Sequence, residues 1–224
     1  MKFSIIKSIA QKDILLEYRS REALNSVIFF SLLVLAIASF ALEPGSEAIK
    51  ELSGGVLWIS YFFSGMIILN RSFALEQDEN AIQSLLLAPI KKSHIFWGKF
   101  VTNFIYIVFI EIIIFLIFVI FFNLQFHTKM IVLWLYIILI DAGFISVGTL
   151  FAAMLIRSKT REMLLPILLF PVSIPLVIAS VKATSYLIQN VSYVYIIPYF
   201  KIIIAFDLIY MFAVSLLAEF VIGE

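Results

Sequence analysis

Cysteine is missing from all 224 residues, which excludes disulfides, thiolate metal sites, iron–sulfur ligation and thiol nucleophiles. Charge is nearly as scarce: Asp, Glu, Lys and Arg make up 14% of the chain, against about a quarter of a soluble domain. The formal net charge of +1 supplies neither the basic field that nucleic acid needs nor an acidic tail, so nucleic acid is not an expected partner. No internal repeat or low-complexity segment is present, and no connection is long enough to hold a soluble catalytic domain. The amino terminus lacks a short apolar run followed by a small-residue cleavage site, so the first long apolar segment is expected to stay as a helix.

What the chain has instead is apolar residues, 63% of the total. A water-soluble core could not hide that much surface. Runs long enough to cross a bilayer fall near 25–42, 55–73, 103–122, 130–156, 163–181 and 202–222. The expected fold is all-α: a polytopic protein with six transmembrane helices, one domain over 1–224, an interfacial helix over 1–22 and a cytoplasmic loop over 74–98. The fourth span is long enough to tilt or protrude, and the fifth reads as the least regular.

Cations set the orientation. Lys2, Lys7, Lys12, Arg19, Arg21, Arg71, Lys91, Lys92, Lys99, Arg157, Lys159 and Arg161 fall on one side, leaving Lys50, Lys129, Lys182 and Lys201 of the 16 on the other. Both termini are therefore expected in the cytoplasm, or in the matrix of a mitochondrion. Before the first span, Phe3, Ile5, Ile6, Ile9 and Ala10 share one helical face and Ser4, Lys7, Ser8 and Gln11 the other, a pattern for a helix lying flat in the interface. Glu17 and Arg21 have the i,i+4 spacing that supports an exposed helix.

The second cytoplasmic connection is too patterned for a passive loop. Glu76, Asp78 and Glu79 suit a helix start, Ala81, Ile82, Leu85 and Leu86 form an apolar stripe, and Pro89 ends the turn. The expected product is a short amphipathic helix that docks either on a partner protein or on the amino-terminal helix. Ser93 is placed to cap the helix that follows. Gly98-Lys99 is not a phosphate-binding loop, because position 93 is Ser where glycine is required; any ATP must be bound by another subunit.

Further along, Arg157, Lys159 and Arg161 pin a short turn and Glu162 opens the next helix with a charge suited to its amino end. Pro166, Pro171 and Pro175 then remove backbone donors, so this span is expected to be kinked, buried or both, as a hinge or as a static bend. Glu111, Asp141 and Asp207 lie within apolar spans and should face the bundle interior or another chain, for a proton relay or for packing. Gly143, Ser146 and Gly148 after Asp141 point to a closely packed or dimer-forming face. His94 and His127, the only histidines, lie outside the spans, so haem passing here would be held chiefly by another subunit. Between Lys182 and Lys201, Tyr186, Tyr193, Tyr195 and Tyr199 suit an interfacial belt or a partner surface, with Pro198 marking a re-entrant or surface helix.

Three stretches together resemble a known family. They are Lys12-Asp13 with Glu17, Arg19, Ser20, Arg21 and Glu22; Phe73, Glu76, Leu85 to Leu87, Pro89, Ile95, Gly98, Lys99 and Asn103; and Arg157, Ser158, Arg161, Glu162, Leu164, Leu165, Pro166, Pro171 and Pro175. They are similar to haem exporter protein B (CcmB), the membrane subunit of the cytochrome c maturation ABC transporter, and more loosely to six-span ABC exporter subunits. The resemblance implies a permease subunit of the inner membrane, not itself an enzyme. It also implies a homodimer working with a CcmA-like ATPase, with CcmC- and CcmD-like haem-handling proteins and with a CcmE-like haem chaperone. Glu76, Ile82, Leu85, Leu86 and Pro89 would dock the ATPase, and Glu17, Arg21, Arg157, Arg161 and Glu162 would flank that site. No metal or cofactor is expected to be bound directly; ATP would sit on the partner and haem would be cargo. Other readings are an exporter of a different substrate, a proton-driven transporter using the buried acids, and an assembly scaffold.

Overall fold

A computed structural model of the chain describes residues 2–42, 47–73, 90–124, 128–156 and 158–221. Among them are seven α-helices: α1 Lys2–Ser20, α2 Glu22–Ala41, α3 Glu47–Ser72, α4 Lys92–Phe121, α5 Lys129–Met154, α6 Arg161–Ile188 and α7 Ile197–Val221, the last preceded by a 3-10 turn at Tyr193–Tyr195. Six are long and apolar enough to cross a membrane, α1 being the exception. Hydrocarbon offers backbone groups no partners, so an apolar run must satisfy its own N–H and C=O groups, which the α-helix does within one segment.

At the centre, α5 packs on α3, α4, α6 and α7. Its small residues let those helices come close: Gly143 lies against Phe206 and Asp207 of α7, and Gly148 against Leu69 of α3 and Leu169 of α6. The small-residue face is thus used for packing within the chain. Phe144 of α5 meets Phe62 of α3 edge to face at 4.8 Å, and Trp58 Nε1 donates to Thr184 Oγ1 at 2.8 Å, tying α3 to α6. Hydrogen bonds of this kind hold helices together where lipid removes the hydrophobic drive for association.

Several expectations need correction. The fifth span is regular, since α6 runs unbroken for 28 residues through Pro166, Pro171 and Pro175. Pro171 and Pro175 face outward instead of being buried. Each ring deletes one donor and leaves one carbonyl unpaired, a smaller loss than an orphaned N–H, and on the outer face it needs no space in the core. Because α6 reaches Ile188 and α7 starts at Ile197, Lys182 and Lys201 belong to helices and not to a connection. Pro198 is the second residue of α7, in the first turn where its missing N–H costs nothing; no re-entrant helix forms there. Lys129 Nζ closes that end by bonding the Asn190 and Val191 carbonyls at 2.9 and 2.7 Å and lies 4.9 Å from the Tyr193 ring. Ser93 is inside α4, whose preceding residue Lys91 is extended and makes no side-chain cap.

The amino-terminal helix also differs. Its buried stripe is Ile9, Ala10, Asp13 and Glu17, and it packs chiefly on α4. Ile5 and Ile6 are half-buried, whereas Leu15, Leu16 and Tyr18 are exposed. Close approach at Gly98 permits this docking: a Cβ there would stand 2.7 Å from Ile9 Cγ2. Gly98→Ala is expected to lower unfolding stability in detergent by about 1–3 kcal/mol, the usual cost of overpacking. Adding Ile9→Ala, which removes the obstructing methyl, should recover part of that loss; a double variant no better than the sum of the singles would sink the contact.

Candidate functional site: an ion-pair node at the roots of the 74–89 connection

The polar stripe of α1 meets the end of α3 and the first turns of α4. Lys99 Nζ, 3% exposed, lies 3.0 Å from Asp13 Oδ2 and donates to the Ser72 carbonyl at 2.8 Å. It also sits 5.3 Å from the Phe73 ring. Lys12 reaches the other Asp13 oxygen at 3.1 Å. Beside this group, Arg71 bridges Glu17 at 3.5 Å and Glu22 at 2.7 Å. Asp13 and Glu17 are one helical turn apart, so one face of α1 presents both carboxylates. One turn after Lys99, Asn103 Nδ2 donates to Thr149 Oγ1 at 3.1 Å and carries the connection into α5.

A cavity of about 20 Å³ lies among Asp13, Glu17, Lys99, Asn103 and Tyr106, the size of a single water site. Burial pushes the Glu17 carboxyl above its ordinary value of 4.5, against the opposing pull of Arg71 and Lys99. The node's contacts are ion pairs and hydrogen bonds that tie helix ends together. Ser72 and Phe73 are the last described residues before the connection, and Lys99 stands two turns into the helix that follows it. Both ends of the connection are therefore tied to each other and to α1.

Glu76, Ile82, Leu85, Leu86, Pro89, Arg157 and His127 lie outside the described residues. Glu17 is buried and pairs with Arg71, not Arg21; α1 ends at Ser20, and Arg21 adopts a left-handed φ of 52° that turns the chain into α2. The expected exposed Glu17–Arg21 pair is thus replaced by a buried contact between helices. Arg161 and Glu162 open α6, which packs chiefly on α3, α5 and α7. His94 is half-buried in the first turn of α4.

Deeper in the bundle, the three acidic residues of the spans converge from α4, α5 and α7. Glu111, Asp141 and Asp207 are all buried. The Glu111 and Asp141 carboxyls stand within side-chain hydrogen-bonding reach of each other. Asp207 lies over Gly143, and Tyr61 Oη donates to the Glu111 carbonyl at 3.0 Å. This arrangement joins three helices.

Over residues 4–223 the chain matches the family model described as CcmB protein. It belongs to that family. CcmB proteins are membrane subunits of a haem-exporting ABC transporter that works with an ABC ATPase, and the six apolar helices agree with a multi-pass inner-membrane protein. A comparison with curated proteins gives no match.

Read as a sequence, Arg71 counted only as a positive charge and Lys99 as a charge and as part of the CcmB pattern, and their roles as the centres of the node were missed. One signal was there: Lys99 and Asn103 share a face within a run that otherwise turns apolar, and Asp13 and Glu17 lie on the same stripe as Ile9.

Lys99→Met is expected to destabilise the chain by about 3 kcal/mol, the low end for breaking a buried pair, because Lys12 still reaches Asp13. Pairing it with Asp13→Asn should restore part of this loss; detergent unfolding of the four proteins of the cycle checks it. For Glu17, a raised pKa means that the folded chain binds the proton more readily than the unfolded one. The stability it contributes is therefore present below 4.5 and is lost as pH rises through the folded value. Glu17→Gln should flatten the decline of the unfolding midpoint above pH 4.5, and an unchanged slope would refute the burial effect.

Proposed function

We propose that this chain is the permease subunit through which a separate CcmA-like ATPase drives a step of cytochrome c biogenesis. The 74–89 connection is the ATPase-docking segment, with Glu76, Ile82, Leu85, Leu86 and Pro89 as its contact residues, and both termini lie on the same cytoplasmic or matrix side. The observation that carries the reading is the node of Asp13, Lys99, Ser72 and Arg71. A push on the connection reaches a buried, charge-paired junction that continues through Asn103 into α5, and not a slack loop. Buried ionic groups resist sliding because each displaced charge loses its partner.

The working assembly is a homodimer of this chain with two ATPase subunits, alongside CcmC- and CcmD-like haem-handling partners and a CcmE-like chaperone. ATP is bound by the partner. The transported or released species is haem, or the chaperone loaded with it. On this reading Arg157, Arg161 and Glu162 form a second turn on the same side, and Glu111, Asp141 and Asp207 serve to join helices.

Leu85→Asp with Leu86→Asp should abolish copurification of the ATPase in mild detergent while leaving this chain's helicity and membrane insertion unchanged. Full retention of the ATPase by that variant would overturn the docking assignment.

A further inference from the structure

Where α1 and α2 part at Arg21, they leave a groove of about 510 Å³ against α4. Ile14 and Leu24 line one wall, and Ile105 and Phe109 of α4 the other. Ile105 and Phe109 are about half exposed, so the groove opens sideways. They lie about 9 and 15 Å along the helix beyond Lys99. The groove therefore descends from the level of the ion-pair node towards the middle of the bundle, on a side that faces lipid.

Its upper end is different. Arg21 and Tyr18 form the rim, with the guanidinium 5.7 Å from the Tyr18 ring. Glu17 also lines the groove, but its carboxylate is engaged by Arg71, which takes Glu22 as well. Among the described residues Arg21 makes no ion pair with an acid. Arg21 is also the residue from which α2 starts, and no side chain caps that start. The first amides of α2 and the positive end of its dipole thus begin at the residue that carries the guanidinium, a combination suited to a phosphate.

We propose that this groove is a binding site for one anionic phospholipid, its phosphate held by Arg21 and the start of α2 and an acyl chain lying along Ile105 and Phe109. The apolar floor favours a lipid over free phosphate. Guanidinium and helix end together disfavour a headgroup that carries its own ammonium. The site is built by this chain alone, so it stands apart from the transporter reading.

The test uses the full chain, purified with any bound subunits from bilayers of phosphatidylglycerol and phosphatidylethanolamine, with retained lipid quantified by mass spectrometry after detergent washing. Wild type should retain phosphatidylglycerol preferentially, and Arg21→Ala should lower that retention about tenfold, as expected for loss of a charge-assisted bond, with phosphatidylethanolamine unchanged. Arg21→Gly should lose it equally; glycine accepts the positive φ at that position, so this variant separates lost binding from lost folding. Phe109→Asp should reduce retention of the lipid while Arg21 is intact. Equal retention of both lipids by wild type, or undiminished phosphatidylglycerol in both Arg21 variants, would overturn the proposal. So would displacement of the lipid by inorganic phosphate, which would mark a free-phosphate site.

Discussion

Lys99 carries a full charge at a place that is 3% exposed, and the arrangement of the surrounding helices follows from the need to neutralise and hydrogen-bond it. An ammonium taken out of water costs several kcal/mol unless its partners are close and well placed. Asp13 supplies the opposite charge and the Ser72 carbonyl a second acceptor, so α1 and the end of α3 must both come to α4. Arg71, next to Ser72, is then positioned to take Glu17 and Glu22. One buried cation thereby determines how four helices meet around the 74–89 connection.

Farther from that end, charge gives way to shape. Lipid tails are as apolar as the helix surfaces, so association depends on close packing and on hydrogen bonds between helices. Gly143 and Gly148 let α5 approach α7 and α3, and polar pairs tie α3 to α6 through Trp58 and Thr184 and α2 to α3 through Ser31 and Ser64. The carboxyls of Glu111, Asp141 and Asp207 belong to the same order: facing lipid each would be costly, and the packing of α4, α5 and α7 turns all three into the bundle.

The groove at Arg21 is the other face of the same corner. Because α1 is drawn onto α4 by its charges while α2 leaves at an angle, a cleft is left between them. The acids nearby are occupied by Arg71, and the arginine at the corner is left facing outward.

The number of helices able to cross a membrane was legible in the sequence, because an apolar run of that length satisfies its own backbone in hydrocarbon as an α-helix. Family membership was legible too, in stretches such as Lys12-Asp13 with Glu17 and Arg161-Glu162 with Leu164, Leu165 and Pro166. The ends of α6 and α7 were not, since Lys182 and Lys201 continue their helices with exposed side chains, and a charge in the sequence does not mark where a helix stops. Nor was the outward placement of Pro171 and Pro175, which depends on how α6 is rotated against α3 and α5. What only the tertiary structure decided is which charges meet. Asp13 and Lys99 are 86 positions apart and Arg71 reaches back to Glu17 and Glu22 on two other helices, and pairing at such separations follows from packing geometry, which local sequence pattern does not encode.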